Sequence, residues 1–129
     1  MFTIDEIQSA HSKVKSGADF PNYVKDLIQL GVKNYKTQVE NGITHYFGAS
    51  GHSVHSQPKY ETLIIESNSN KNQFIADLKA HQAGKTDYKK FCEDCASSGI
   101  DYWLVDLDQK TCTYFDLKGN EILLEKIPV

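Results

Sequence analysis

The alternation of apolar and polar positions divides the chain into helical and extended segments. The densest apolar run is residues 99–127, GIDYWLVDLDQKTCTYFDLKGNEILLEKI, which contains the only tryptophan, Trp103. Polar turns at 108–110 and 118–120 divide this run into three strands. We therefore predict that it forms the main part of an antiparallel sheet on which the helices pack.

Two helices are predicted at the start of the chain. Thr3 begins a capping-box sequence, and the first helix should run from there to near Gly17. Its apolar stripe includes His11, which we expect either at the edge of the core or as a ligand. The second helix should begin at 19–21, where a proline suits the first turn, and should end at Gly31.

A β-hairpin is predicted next, and the apolar pattern suggests its register. We expect a three-residue loop at 40–42 rather than a two-residue turn at Asn41-Gly42, because this loop places the apolar side chains on one face. The predicted pairs are Val39 with Ile43, Thr37 with His45, and Tyr35 with Phe47. This register puts His45 on the inner face of the sheet.

The middle of the chain completes the predicted architecture. Residues 48–59, GASGHSVHSQPK, should form the longest irregular segment, and 60–66 should form a strand. Asn70 marks the start of a third helix and Thr86 the start of a fourth, while the last strand should finish by Pro128. The order ααβββααβββ predicts an α+β two-layer sandwich, with a mainly antiparallel sheet of about six strands and four helices in two pairs.

Composition argues against several classes of function. The length suits a single α+β domain spanning 1–129. The net charge is −3 and all 14 basic residues are lysine. Because arginine is preferred for contacts with phosphate and guanine, we do not expect nucleic-acid binding. We find no secretion signal and no apolar stretch near the ~20 residues that span a membrane, and three cysteines, an odd number, favour a reduced, cytoplasmic setting.

The pair Cys92-x-x-Cys95 is the clearest motif. Redox activation requires the first cysteine at a helix N-terminus, whereas Cys92 is predicted to lie well inside the fourth helix. A structural zinc site would need two further ligands, for which Cys112 and His81 are conceivable. Because both cysteines of the pair fall on the apolar stripe of their helix, we predict that they are structural core residues.

Three histidines form the second candidate group. His52 and His55 lie in the irregular segment, and His45 lies on the preceding strand. Three histidines can bind zinc and leave one position open for water, which would make them a ligand or metal site. The alternative is that they are solvated or lie at the edge of the core. The serines of the same segment lack the strand–turn–helix context of a hydrolase nucleophile.

Three stretches carry a resemblance to a known family: DFPNYVKDLIQLGV, DLKAHQAGKTDYKKFCEDCASSGIDYW and TCTYFDLKGNEILLEKIP. They are similar to the small bacterial YbcV/YdfO-like proteins found in prophage segments of enterobacterial genomes, over about residues 19–128. The resemblance implies a compact α+β domain of this length. It implies no activity and no functional residues, and some members of that family carry the label phage envelope protein.

We therefore expect a small cytoplasmic binding or accessory protein of prophage origin, without evident catalysis and with no predicted cofactor. It should contact a protein or a small molecule, as a monomer or homodimer, and neither nucleic acid nor membrane. Its contact surface would be the sheet face away from the helices, including Lys36, Gln38, Thr44 and Tyr46. The alternatives are a small metal-dependent enzyme or metal-binding protein that uses the three histidines with zinc or a similar metal, and a phage structural component.

Overall fold

The computed structural model describes residues 1–14 and 19–127. The helices are α1 (Ile4–His11), α2 (Phe20–Leu30), α3 (Lys71–Gln82) and α4 (Tyr88–Ser97). The strands are β1 (Asn34–Gln38), β2 (Thr44–Phe47), β3 (Ser53–His55), β4 (Ile100–Asp106), β5 (Thr111–Asp116) and β6 (Glu121–Lys126), with a short 3-10 helix at Ala49–Gly51. The α+β class and the order ααβββααβββ are confirmed.

The six strands form one antiparallel sheet in the order β3-β2-β1-β4-β5-β6. The run 99–127 supplies the three-stranded half of the sheet, as its apolar pattern predicts. Pairing of β1 with β4 joins this half to the N-terminal hairpin. The central position of β1 therefore brings the two halves of the chain into one sheet.

Local capping signals explain where the helices begin and end. The Thr3 hydroxyl accepts from the Glu6 backbone N–H, and the Glu6 carboxylate accepts from the Thr3 backbone N–H, which completes the capping box. α2 ends at Gly31, whose φ of 100° is the left-handed conformation expected of a glycine cap. α3 begins at Asn70, whose side chain accepts from the Gln73 N–H.

Two predicted helix boundaries differ from the structure. α1 ends at His11, earlier than expected. Gly17, the predicted end of α1, and Pro128, the predicted limit of the last strand, lie outside the described residues. α4 is capped by Asp87 rather than Thr86, because the Asp87 carboxylate accepts from the Lys90 N–H at 2.8 Å.

The helices pack on one face of the sheet, here called the inner face. Its side chains are buried and include Tyr35, Thr37, Thr44, Tyr46, Trp103, Val105 and Tyr114. The rings of Phe74 and Tyr114 lie 4.8 Å apart between centroids, and those of Phe91 and Trp103 lie 5.7 Å apart. Aromatic contacts of this kind tie α3 and α4 to the sheet.

The predicted hairpin register is wrong. Thr37 pairs with Thr44, Lys36 with His45, and Tyr35 with Tyr46. Four residues, 39–42, therefore separate the last strand residue Gln38 from Ile43, whose carbonyl accepts from the Gln38 N–H. The physical reason is that the buried side can accept hydroxyl groups that satisfy one another: the hydroxyls of Thr37 and Thr44 bond each other at 2.9 Å.

This register corrects two further expectations. His45 lies on the face away from the helices, rather than on the inner face. Of the four residues expected on the outer surface, Lys36 and Gln38 lie there, whereas Thr44 and Tyr46 are buried on the inner face at 2% and 5% exposure.

The third strand also differs from its predicted position. Residues 60–66 do not form a strand, and β3 lies within the segment predicted to be irregular. The backbone hydrogen bonds of 60–66 are isolated, from the Leu63 N–H to the Glu40 carbonyl and from the Glu66 N–H to the Ala96 carbonyl. The Tyr60 hydroxyl also donates to the Val39 carbonyl at 2.6 Å. One of these backbone bonds is made with the hairpin loop and the other with α4, so residues 60–66 do not pair along one neighbouring strand. No helix within the described ranges has the length and apolar character needed to cross a membrane.

Candidate functional site

Two of the three candidate histidines lie side by side. His45 on β2 pairs with His55 on β3, and their ring centroids are 5.6 Å apart. Burial lowers the pKa of His45, with smaller effects from the neighbouring His55 and Lys36. The neutral imidazole, which is the form that binds metals, is therefore favoured at His45.

The third histidine belongs to a different part of the structure. The ring of His52 contacts Phe2 edge-to-face at 4.4 Å, and its Nε2 lies 2.7 Å from the Phe2 carbonyl oxygen. His52 therefore ties the segment after β2 to the start of α1. In residues 1–14 and 19–127, no group of three or more His, Cys, Asp or Glu side chains could hold a metal ion.

The cysteine pair lies in the core. Cys92 and Cys95 are fully buried in the middle of α4, and both are free thiols, as is Cys112. Burial raises the pKa of Cys92 and Cys95, and it raises the pKa of Cys112 to about 12. Because the thiolate is the reactive form, these three side chains are poorly suited to redox or nucleophilic chemistry.

The face of the sheet opposite the helices, here called the outer face, carries a mixed set of side chains. Strand alternation places on it Asn34, Lys36, Gln38, His45, Phe47, His55, Tyr102, Leu104, Asp106, Thr113, Phe115, Glu121, Leu124 and Lys126. Tyr102 stacks on Phe115 at 4.7 Å, and the Lys36 ammonium lies 4.2 Å from the Tyr102 ring centroid. Aromatic and aliphatic groups therefore lie at the surface beside charged ones.

A small cleft lies on the helical side of the sheet, between α1 and the chain that follows β2. Its volume is about 210 Å³, and it is lined by Ile4, Ile7, Gln8, His11, Ser12, Tyr46, Ser56 and Lys59. The Ser56 hydroxyl accepts from the Thr44 backbone N–H at 3.0 Å, which fixes the wall opposite α1. The cleft thus combines an apolar part with hydroxyl, imidazole and ammonium groups.

Sequence patterns did not single out Lys59, and they indicated Ser56 only as one of the serines that lack the context of a hydrolase nucleophile. The cleft joins residues 4–12 to residues 46–59, and no motif spacing relates positions so far apart in the chain. The one partial signal was His11, which the helical stripe places at the edge of the core, next to Tyr23 with ring centroids 5.3 Å apart.

Comparison with known proteins gives a family and few functional clues. The chain matches uncharacterized proteins Mb2035 of Mycobacterium bovis and MT2067 and Rv2012 of Mycobacterium tuberculosis, each 40% identical over 43 residues. The matched part is 33% of this chain and 26% of each relative, so the chain covers about a quarter of the length of these proteins. Residues 8–126 match the family described as a protein of unknown function, DUF1398, and the chain therefore belongs to this family.

Proposed function

We propose that the chain is a small, non-catalytic binding or accessory protein that acts through its outer face. The observation that supports this proposal is the exposure of large apolar side chains there, 37% for Phe47 and 47% for Leu124. The ring contacts that join α3 and α4 to the sheet are made with Trp103 and Tyr114 of the inner face. Exposed apolar groups that are rimmed by polar ones are typical of protein contact surfaces.

The proposed occupant of the outer face is a second copy of the chain. Two cations, Lys36 and Lys126, and two acids, Asp106 and Glu121, lie on this face by strand alternation. A face of balanced charge can meet its own copy without net repulsion, whereas a face of one sign would repel it. Paired faces of this kind form a two-fold symmetric dimer, the commonest form of homo-oligomer.

The size of the outer face is sufficient for a weak dimer. The strands have 3 to 7 residues each, and at about 3.3 Å per residue and about 4.8 Å between strands the six of them cover about 500 Å² per copy. A face-to-face contact would bury roughly 1,000 Å² in total, which is near the lower limit for a specific interface. We therefore expect a dissociation constant in the micromolar range or weaker rather than a permanent dimer.

A pair of lysine substitutions tests this proposal. Leu124→Lys places a charge on the outer face, and we expect it to weaken self-association by about tenfold or more. Ile28→Lys is the matched control, because Ile28 is 41% exposed but lies on α2. Sedimentation velocity over a range of concentrations measures both variants beside the unsubstituted protein. A monomer at all concentrations, or equal effects of both substitutions, would contradict the proposal.

Prophage origin is part of the same proposal and rests on the resemblance to the YbcV/YdfO-like proteins. A phage structural component is the alternative that the phage envelope label suggests. A structural protein should assemble beyond a dimer, because virion shells require repeated contacts between copies. Gel filtration that shows no species larger than a dimer would count against this alternative.

The second alternative is metal binding at the neighbouring His45 and His55. Two cross-strand imidazoles supply half of a tetrahedral zinc site, and the remaining ligands would have to come from elsewhere. Elemental analysis of protein purified without an affinity tag or chelator provides the test. Zinc, nickel, copper and iron all well below one equivalent would exclude this alternative.

A further inference from the structure

The cleft between α1 and the chain after β2 has a chemical character that the outer face does not share. It opens on the helical side of the sheet, because Tyr46 of the inner face forms part of its wall. Binding in this cleft would therefore be independent of contacts made by the outer face.

The Lys59 ammonium forms no ion pair with an acidic side chain among the described residues, and no Asp or Glu lines the cleft. The ion pair that described residues do form joins Lys90 to Asp94 on α4, away from the cleft. The Lys59 ammonium instead lies 5.1 Å from the ring centroid of Tyr88, and the His11 imidazole packs against Tyr23. Lysine and histidine side chains that line a cleft without a carboxylate are suited to an anion.

The surroundings of the cleft lower the pKa of both groups. Burial lowers the pKa of His11, and the charge of Lys59 lowers it further. Burial also lowers the pKa of Lys59, although much of its side chain remains exposed. A bound negative charge would relieve both effects, because an opposite charge nearby favours the protonated form.

The remaining wall adds a hydroxyl donor and an apolar surface. Ser56 is 6% exposed, and its oxygen accepts a bond from the Thr44 backbone N–H, so its own proton stays available for donation. Ile4 and Ile7 of α1 supply the apolar part of the lining. A ligand that fits both parts carries a negative group at one end and a short hydrocarbon at the other.

The volume limits the size of the ligand. Ligand pockets commonly enclose roughly 300–1,000 Å³, and this cleft encloses about 210 Å³. A nucleotide or a long fatty acid would exceed this space. We propose that the cleft binds a small organic carboxylate, with its carboxylate toward Lys59 and Ser56 and its short apolar part against Ile4 and Ile7.

Titration with butyrate, followed by amide chemical shifts in two-dimensional NMR, tests this proposal. Butyramide has the same shape without the charge, and inorganic phosphate has the charge without the hydrocarbon. We expect saturable shifts from butyrate, at concentrations up to about 50 mM, centred on Ile7, His11 and Ser56. Phosphate and butyramide should give much smaller shifts.

Lys59→Met removes the ammonium but keeps a long side chain, and Lys79→Met on α3 is the matched surface control. The first substitution should weaken butyrate binding by about tenfold, as expected for the loss of one charge-assisted hydrogen bond, and the second should leave it unchanged. Without butyrate, both variants should show the amide chemical shifts of the unsubstituted folded protein, except close to the substituted residue. Equal binding of butyrate and butyramide, stronger binding of phosphate, an unaffected Lys59→Met variant, or no saturable shift would overturn the proposal.

Discussion

At the scale of single residues, two histidines link protonation to folding. Burial lowers the pKa of His11, with a further contribution from Lys59, and burial also lowers the pKa of His45. For both side chains the unfolded chain binds the proton more tightly than the folded chain does. Protonation therefore favours unfolding. The stability that is present above the pKa of the unfolded state is lost as the pH falls through the lowered pKa of the folded state.

We predict that the free energy of unfolding increases between about pH 5.5 and pH 7.5. The double variant His11→Gln/His45→Gln should show a flatter dependence in this window, since carboxylates and lysines titrate largely outside it. Urea denaturation at a series of pH values gives the comparison. A dependence as steep in the variant as in the parent protein would show that these histidines are not responsible.

Capping residues could be predicted from the sequence because their partners lie within a few positions. Thr3 and Asn70 cap the helices that their spacing indicates, and Gly31 adopts the expected left-handed conformation. The predicted cap of α4, Thr86, was wrong by one residue. In the structure the Thr86 hydroxyl lies 3.1 Å from Nδ1 of His81, which leaves Asp87 to cap α4.

At the scale of elements, the hairpin shows where an apolar pattern misleads. The predicted register places Ile43 and Phe47, rather than Thr44 and Tyr46, on the inner face. Tyr46 is nevertheless buried, with its hydroxyl 3.4 Å from that of Tyr23, while Phe47 remains at the surface. Buried hydroxyls that satisfy one another are compatible with the core, and only the tertiary partners reveal this.

The paired hydroxyls of Thr37 and Thr44 provide a test of the observed register. Thr44→Val should destabilise the protein by about 1–2 kcal/mol, because it leaves a buried hydroxyl of Thr37 without this partner. Adding Thr37→Val should recover part of that loss, since two apolar groups of similar shape can then pack together. Chemical denaturation of both single variants and the double variant measures the coupling. Strictly additive effects would contradict direct pairing of these two residues.

The third strand was misplaced for a related reason. Residues 60–66 are rich in β-branched and apolar groups, yet Ile64 is 87% exposed and the segment has no partner strand. The short β3 pairs with β2 despite its glycine- and serine-rich surroundings. Strand propensity describes a fit to a pleated, half-buried surface, so it cannot identify which segment finds an open sheet edge.

At the scale of the whole molecule, the fold class could be predicted, but the composition of the outer face and the cleft could not. The C-terminal meander follows from tight turns and local pattern, and it forms as predicted. The outer face depends on the hairpin register, and a one-residue shift exchanges His45 and Phe47 with Thr44 and Tyr46. The cleft depends on the packing of α1 against distant residues, for which the sequence contains no local signal.

The central claim is that the outer face is a protein contact surface occupied by a second copy of the chain. Hydroxyl-radical labelling with mass spectrometry tests it without any substitution, at protein concentrations well below and well above the dissociation constant. We predict that labelling of Phe47 and Leu124 decreases at high concentration, while labelling of the exposed Ile28 and Ile64, which lie off the outer face, stays constant. Equal labelling of Phe47 and Leu124 at both concentrations would contradict the claim.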